Sequence, residues 1–173
     1  ILSHTAAQAL FWFNLRFLLI AIIPVAWLVF TLAFSGQTRL LSKTWLAGML
    51  VIPLLTQLIL WSNALHGLWV KQEVGFHHTG PFWIVETSAR VPAVWFMVHN
   101  FYSIILTLVG TVLLLQVAWG KRKAYRGQAL LLSTGVMIAL VTALFPVFNL
   151  LPHLDFNPFV PGMGISALFY ALA

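Results

Sequence analysis

The most prominent feature of the chain is a series of long apolar stretches separated by short polar ones. A bilayer core of about 30 Å needs roughly 20 mostly apolar helical residues to cross it. The pattern predicts five such helices, at residues 9–34, 45–70, 93–119, 129–151 and 157–173. We therefore predict an all-α integral membrane fold, a polytopic transmembrane helix bundle that forms one transmembrane domain over residues 1–173.

The polar stretches between these predicted spans are typical of loops. "SGQTRLLSKT" (residues 35–44) supplies a Ser-Gly turn and two cations, and its Thr44 can cap the second span. Residues 71–92 form the one long loop, and "GKRKAYRGQ" (residues 120–128) is short and strongly basic. The chain opens with Ile1 and stops at Ala173 inside an apolar run, so we expect it to be part of a longer polypeptide.

Composition supports the membrane interpretation. Of the 173 residues, 61% are hydrophobic and only 7% are charged, whereas about a quarter of a soluble domain is charged. So few charges cannot cover a surface exposed to water. The chain has no cysteine, which excludes disulfides, iron–sulfur clusters and thiolate zinc sites.

The distribution of Lys and Arg predicts the orientation of the spans. Loops on the cytoplasmic side of a membrane carry an excess of these residues. The loops at residues 35–44 and 120–128 carry six of them: Arg39, Lys43, Lys121, Arg122, Lys123 and Arg126. The loop at 71–92 carries only Lys71 and Arg90. We predict a multi-pass protein of the cell membrane, with the 120–128 loop cytoplasmic and the 71–92 loop extracytoplasmic. The basic cluster is a topology signal and not a nucleic-acid patch.

With this orientation, the strongly polar residues fall in one layer near the outer ends of four spans. "WSNALHGLWV" (residues 61–70) places Asn63 and His66 one helical turn apart. Ionisable groups in lipid cost roughly 2.5–3.5 kcal/mol each, so they normally face the bundle or water. We predict an outer-leaflet ligand-binding cavity lined by Asn63, His66, His99, Asn100, Asn149, Asp155 and Arg16. Arg16 would pair with Asp155, or alternatively with Glu86.

Prolines inside the spans are candidate hinges. Pro24, Pro53 and Pro146 each remove a backbone hydrogen bond and kink the helix that contains them. Such kinks can be static packing devices, or they can couple an outer cavity to the inner face of the membrane.

Other interpretations of the same residues stay open. Polar side chains between membrane helices often only hold the helices together, at about 0.6 kcal/mol per hydrogen bond. His66 or His99 could instead be an axial ligand of a haem or chlorophyll. Glu73, His77 and His78 lack the ordered third ligand of a metal site. With only three acidic residues, the chain offers no paired carboxylates for catalysis. We therefore predict no catalytic residue, no metal and no cofactor.

Several stretches together resemble a known family. They are "FNLRFLLIAIIPVAWLVFTLAFSG" (13–36), "IPLLTQLILWSNALHGLWV" (52–70), "VWFMVHNFYSIILTLVGTVLLL" (94–115), "YRGQALLLSTGVMIALVTALFPVFNLL" (125–151) and "LDFNPFVPGMGISALFYALA" (154–173). The chain is similar to the N-terminal seven-transmembrane region of bacterial and archaeal sensor histidine kinases. The positions that match its recurrent residues are Trp61, Asn63, His66, Trp69, His99, Tyr102, Arg126, Gln128, Pro146, Asn149, Asp155 and Pro158.

The resemblance implies a function and an assembly. The five predicted spans would be the last five of seven, and a cytoplasmic output module would follow. The chain would detect a small-molecule or membrane-borne signal within the lipid bilayer and would work as a homodimer. Any kinase activity would lie in a separate C-terminal module. The alternative is a structural or cofactor-holding subunit that binds other membrane subunits.

Overall fold

In the computed structural model of the protein, residues 4–71, 75–85, 92–120, 123–148 and 158–173 are described. Their helices are α1 (Ala6–Ser35), α2 (Lys43–Trp61), α3 (Asn63–His66), α4 (Val94–Trp119), α5 (Arg126–Phe148) and α6 (Phe159–Leu172). Short 3₁₀ turns lie at Thr38–Leu40 and Lys123–Tyr125. Strands β1 (Phe76–Thr79) and β2 (Phe82–Val85) form an antiparallel hairpin within the long loop, where no strands were predicted. The prediction of a helical membrane fold is confirmed.

Among the described residues, four helices are long and apolar enough to cross a membrane. These segments are Ala6–Ser35, Lys43–Trp61, Val94–Trp119 and Arg126–Phe145. α6 has 14 described residues, which is a length of about 21 Å and less than a bilayer core. Large apolar side chains remain exposed on these helices, for example Leu19 at 70% and Leu58 at 66%. Hydrocarbon is the natural surrounding for such a surface.

α2 ends earlier than the sequence pattern predicts. The predicted span ran to Val70, but the helix stops at Trp61 and only the short turn α3 follows. The backbone N–H of Ser62 donates to the Leu58 carbonyl at 3.1 Å, and the Ser62 hydroxyl donates to the same carbonyl at 2.6 Å. Gly67 then adopts a left-handed conformation with φ of 60° and closes α3. The apolar residues 68–70 therefore lie in an extended segment and not in a helix.

The chain divides into two compact units, and each is described by itself. The first contains residues 1–26 and 42–103, and the second contains residues 27–41 and 104–173. In the first unit, α2 and α4 run antiparallel, because Met49 contacts Tyr102 while Thr56 contacts Trp95. The core of this unit is formed by Leu60, Trp69 and Val70, with Phe17, Ile59, Trp95 and Phe96 packed around them.

The second unit is held together by small residues on α5 and α6. The Ser166 hydroxyl, which is fully buried, lies 2.7 Å from the carbonyl oxygen of Gly135 on the neighbouring helix. A methyl group added at Gly162 would overlap the side chain of Thr142, and its carbon would lie 2.6 Å from the Thr142 Cβ. These two contacts show that α5 and α6 are antiparallel and closely packed.

An open groove lies beside this helical hairpin in the second unit. It has a volume of about 460 Å³ and is lined by α4 and α5 through Thr111, Leu115, Ser133, Thr134, Met137, Ile138, Val141 and Thr142. The hydroxyls of Thr111, Ser133 and Thr142 all donate to carbonyls of their own helices. The groove therefore offers a mainly apolar lining, and it contains none of the predicted site residues.

Candidate functional site

The side chain of Asn63 binds the extended segment that follows α3. Its Oδ1 accepts hydrogen bonds from the backbone N–H groups of Trp69 at 2.8 Å and Val70 at 3.2 Å. Its Nδ2 donates to the carbonyl of Val70 at 3.1 Å. One carboxamide thus satisfies three backbone groups that have left the helix, which is a strong reason for the chain to turn here.

The turn that Asn63 stabilises also caps the start of α4. The backbone N–H groups of Ala93 and Trp95 donate to the carbonyls of Trp69 and Leu68, both at 3.1 Å. The first N–H groups of a helix have no partner within the helix, so these bonds satisfy orphan donors. Asn63 therefore joins the end of α2 to the beginning of α4 through the segment 68–70.

His66 does not share the environment of Asn63. Its side chain is exposed, its Nε2 lies 3.0 Å from the Ser62 hydroxyl, and its Nδ1 accepts from the backbone N–H of Leu68 at 3.0 Å. Asn63 and His66 both lie on α3, and the prediction that they line one ligand-binding cavity stays a prediction.

His99 is the centre of a buried polar network between α2 and α4. It is 5% exposed, and its Nδ1 lies 3.0 Å from the hydroxyl of Thr56. The Thr56 hydroxyl donates to the Ile52 carbonyl at 2.8 Å and accepts from the indole N–H of Trp95 at 3.0 Å. A hydroxyl carries one hydrogen, so the hydrogen between Thr56 and His99 belongs to Nδ1. The His99 imidazole is therefore assigned as the tautomer that carries a hydrogen on Nδ1.

The Nε2 edge of the His99 ring lies near Ser103, and the ring also lies near the indole of Trp69. Nε2 lies 3.4 Å from the Ser103 hydroxyl, which donates to the carbonyl of His99 at 2.8 Å. The imidazole and the indole of Trp69 are 6.0 Å apart between ring centroids. The hydrogen of the Ser103 hydroxyl is thus used by the His99 carbonyl, and the Nε2 of His99 receives no hydrogen from it.

Tyr102 binds α2 at the carbonyl that Pro53 leaves without a partner. A proline has no N–H, so the carbonyl four residues before it, here that of Met49, receives no helical hydrogen bond. The Tyr102 hydroxyl donates to this Met49 carbonyl. Pro53 itself is fully buried. The hinge predicted at Pro53 is thus bridged by a side chain from α4, an arrangement that sequence reasoning did not predict.

Asn100 and Arg16 make mainly local contacts. The Asn100 amide donates to the Phe96 carbonyl of its own helix at 2.8 Å. The Arg16 guanidinium lies 4.6 Å from the centroid of the Phe13 ring and 5.6 Å from that of Phe17, which is cation–π geometry. Its side chain is exposed. The ligand-binding roles of both residues stay predictions.

The remaining predicted residues either lie outside the described ranges or are prolines within helices. Asn149, Asp155 and Glu86 lie outside the described residues, so the predicted ion pairs of Arg16 stay predictions. Pro24 is buried within α1. Pro146 lies within the range of α5.

Sequence reasoning missed Thr56 and Gln57. Thr56 is fully buried and accepts the Trp95 indole N–H. The amide nitrogen and oxygen of Gln57 are buried without a hydrogen-bond partner. A signal was present, because both are polar residues in the middle of an apolar span, one turn after Pro53.

The described helices and their buried polar network define a polytopic helical membrane region. The model of one family, described as the N-terminal 7TM region of histidine kinase, matches residues 1–173. The chain belongs to this family and is a sensory transmembrane region of the histidine kinase type, as the resemblance predicted. A search of curated proteins found no match to the chain. A search of solved structures found none either.

Proposed function

We propose that the chain detects a small-molecule or membrane-borne signal at its extracytoplasmic side and relays it through α2 and α4 to a cytoplasmic output module. The observation that carries the proposal is the set of hydrogen bonds from α4 to α2 on either side of Pro53. The family model describes a transmembrane region, not a catalytic domain, and it covers the whole chain. Kinase activity would belong to the output module.

The hydrogen bonds around Pro53 would give α2 two discrete arrangements, one in which it is bonded to α4 and one in which these bonds are broken. Tyr102 satisfies the Met49 carbonyl before the proline, and Thr56 joins His99 and Trp95 after it. Leaving a buried carbonyl unpaired costs about 1–3 kcal/mol, so α2 does not bend gradually away from α4. A signal that binds one arrangement more tightly than the other shifts the balance between them.

The proposed orientation follows from the charges of the loops. The 120–128 loop would be cytoplasmic, the 71–92 loop extracytoplasmic, and the protein a multi-pass component of the cell membrane. A homodimer is proposed from the family alone. The two ring nitrogens of His66 are both used by protein groups, which supports the sensory role over His66 as an axial ligand.

The test uses the absence of cysteine, which allows labels at chosen positions. One spin-label pair joins Leu46→Cys, before Pro53, to Phe101→Cys on α4, and the other joins Leu58→Cys, after Pro53, to Phe101→Cys. All three side chains are exposed. In lipid nanodiscs, Tyr102→Phe is expected to broaden the 46–101 distance distribution and to leave the 58–101 distribution unchanged, because only the bond to the Met49 carbonyl is lost.

A matched substitution and a signalling measurement complete the test. Tyr125→Phe removes a hydroxyl from an exposed side chain, so it should change neither distribution. In the intact kinase, Tyr102→Phe should alter basal autophosphorylation while Tyr125→Phe does not. Unchanged distances and unchanged autophosphorylation in Tyr102→Phe would contradict the proposed relay.

A further inference from the structure

The groove between α4 and α5 in the second unit is large and apolar enough to hold a hydrocarbon chain. Its volume is about 460 Å³, and ligand pockets commonly measure about 300–1,000 Å³. The hydroxyls of Thr111, Ser133 and Thr142 donate to carbonyls of their own helices, so these hydrogens are not available to a ligand. Thr134 and Val141 in the lining are exposed. The groove therefore suits an apolar ligand that enters from the surrounding membrane.

The groove begins near the loop that joins α4 to α5 and runs along both helices. On α4, its lining residue nearest to this loop is Leu115, which is about 6 Å along the helix from the end at Trp119. On α5, the lining runs from Ser133 to Thr142, which lie about 10 Å and about 24 Å from the helix start at Arg126. The groove thus extends for about 14 Å along α5. This length is close to half of a bilayer core of about 30 Å, the depth that one acyl chain occupies.

The end of the second unit next to this loop is basic. The rings of Phe34 and Tyr125 lie 6.0 Å apart between centroids, so the end of α1 and the start of α5 lie together. Arg39 follows α1, Arg126 begins α5, and both side chains are exposed. The loop sequence also contains Lys121, Arg122 and Lys123. Positive charge is therefore concentrated at the end of the unit where the groove begins.

No acidic residue lies in the sequence between α4 and α5 to balance these cations. The three acidic residues of the chain are Glu73 and Glu86, which precede α4, and Asp155, which follows α5. Among the described residues, neither Arg39 nor Arg126 forms an ion pair. Both guanidiniums are therefore available to an anion from outside the chain.

We propose that the second unit binds one anionic phospholipid, with its phosphate at Arg126 and the neighbouring cations and one acyl chain in the groove between α4 and α5. Clusters of Lys and Arg beside a membrane span attract anionic lipid headgroups. The apolar groove begins within about 10 Å of Arg126, so a single lipid molecule can reach both features. A zwitterionic lipid with the same chains would fit the groove, but it carries no net charge for the basic loop to attract.

This lipid site goes beyond the proposed signal relay and does not rest on it. The relay depends on the bonds of Tyr102 and Thr56 in the first unit, whereas the groove and the basic loop belong to the second unit. A negative result for the lipid would therefore leave the spin-label test of Tyr102→Phe unaffected.

The experiment measures lipid retention by native mass spectrometry of the protein purified in detergent. Equal amounts of palmitoyl-oleoyl phosphatidylglycerol and palmitoyl-oleoyl phosphatidylcholine are added, so the two probes differ only in their headgroups. The wild type is expected to retain one phosphatidylglycerol in preference to phosphatidylcholine by at least about tenfold, because several basic residues attract the anionic headgroup.

One pair of variants tests the charge. Arg126→Gln should lower the preference for phosphatidylglycerol by about fivefold, the contribution of one basic residue near an anionic headgroup. Lys71→Gln is the matched control, since it removes an exposed cation of the first unit, and it should leave the preference unchanged.

A second pair of variants tests the groove. Thr134→Trp places a large ring in the lining and should reduce retention of phosphatidylglycerol. Val112→Trp is the matched control, because Val112 has nearly the same shape as Thr134, is 51% exposed and is not part of the lining. Its distance from the end of α4, about 10 Å, is similar to that of Thr134 from the start of α5, about 12 Å.

A measurement on the wild type keeps the test independent of the variants. In nanodiscs of both lipids, phosphatidylglycerol with a photoreactive diazirine on its palmitoyl chain should label the α5 segment 133–142 more strongly than phosphatidylcholine with the same diazirine. Equal retention and equal labelling by the two lipids would overturn the proposal. An effect of Arg126→Gln without any effect of Thr134→Trp would show only general attraction of headgroups to the loop and would also overturn it. Labelling that avoids residues 133–142 would show that another helix covers the groove, with the same consequence.

Discussion

Asn63 satisfies three backbone groups of the segment 68–70 with a single side chain. Asn63→Ala would leave these backbone groups, which lie in the extended segment after α3, without their hydrogen-bond partner. We expect the free energy of unfolding to fall by about 2 kcal/mol. Thermal unfolding of the purified protein, followed by intrinsic Trp fluorescence, measures this loss.

Asn100 provides the comparison for Asn63. It carries the same side chain, but within the described part of the chain its amide donates only to the Phe96 carbonyl of its own helix. Asn100→Ala should change the unfolding free energy by less than about 1 kcal/mol. Equal losses for the two substitutions would contradict the role given to Asn63.

The two membrane histidines, which the sequence pattern treats alike, should respond differently to substitution. His99 is buried and joined to Thr56, so His99→Ala leaves a cavity and breaks the network, at a cost of about 3 kcal/mol. His66 is exposed, and His66→Ala should cost less than about 1 kcal/mol. Thermal unfolding of both variants in the same detergent checks the difference. A larger loss for His66→Ala would show that its surroundings differ from those described.

At the scale of elements, the helical hairpin of α5 and α6 depends on glycines at specific positions. A methyl group at Gly162 would overlap Thr142, whereas one at Gly164 meets no atom within 4 Å. Gly162→Ala should therefore lower stability by about 1–3 kcal/mol through overpacking. Gly164→Ala should be neutral or stabilise by up to about 1 kcal/mol, since alanine favours helix more than glycine.

These two variants are best compared by protease resistance and thermal unfolding in one detergent. Both glycines lie on α6, two residues apart, so general effects on expression are shared. A loss in Gly164→Ala equal to that in Gly162→Ala would contradict the close approach of α6 to Thr142.

How far the elements could be predicted from sequence depends on their periodicity. The start of α4 at Val94 and its end at Trp119 agree closely with the predicted span 93–119, because the polar residues on either side mark a change of environment. The end of α2 could not be placed in the same way. Residues 68–70 are as apolar as a helix in lipid, and only the contacts of Asn63 and the left-handed Gly67 show that they are extended.

At the scale of the whole molecule, the orientation in the membrane is a prediction from charge. Lys71→Cys and Ala124→Cys place single thiols at exposed positions in a chain without other cysteines. In intact cells, a membrane-impermeant maleimide is expected to label Lys71→Cys at once and Ala124→Cys only after permeabilisation. The opposite labelling would invert the proposed topology.

The sequence by itself determined that the chain lies in a membrane, roughly where its helices run and which family it belongs to. These properties depend on local composition, on residue order and on the length that a bilayer imposes, and each can be summed along the chain. Only the tertiary structure decided which polar groups meet: His99 with Thr56, and Tyr102 with the carbonyl freed by Pro53. Such pairs depend on how each helix is rotated and which neighbour it packs against, and an almost uniformly apolar helix carries little sequence signal for either.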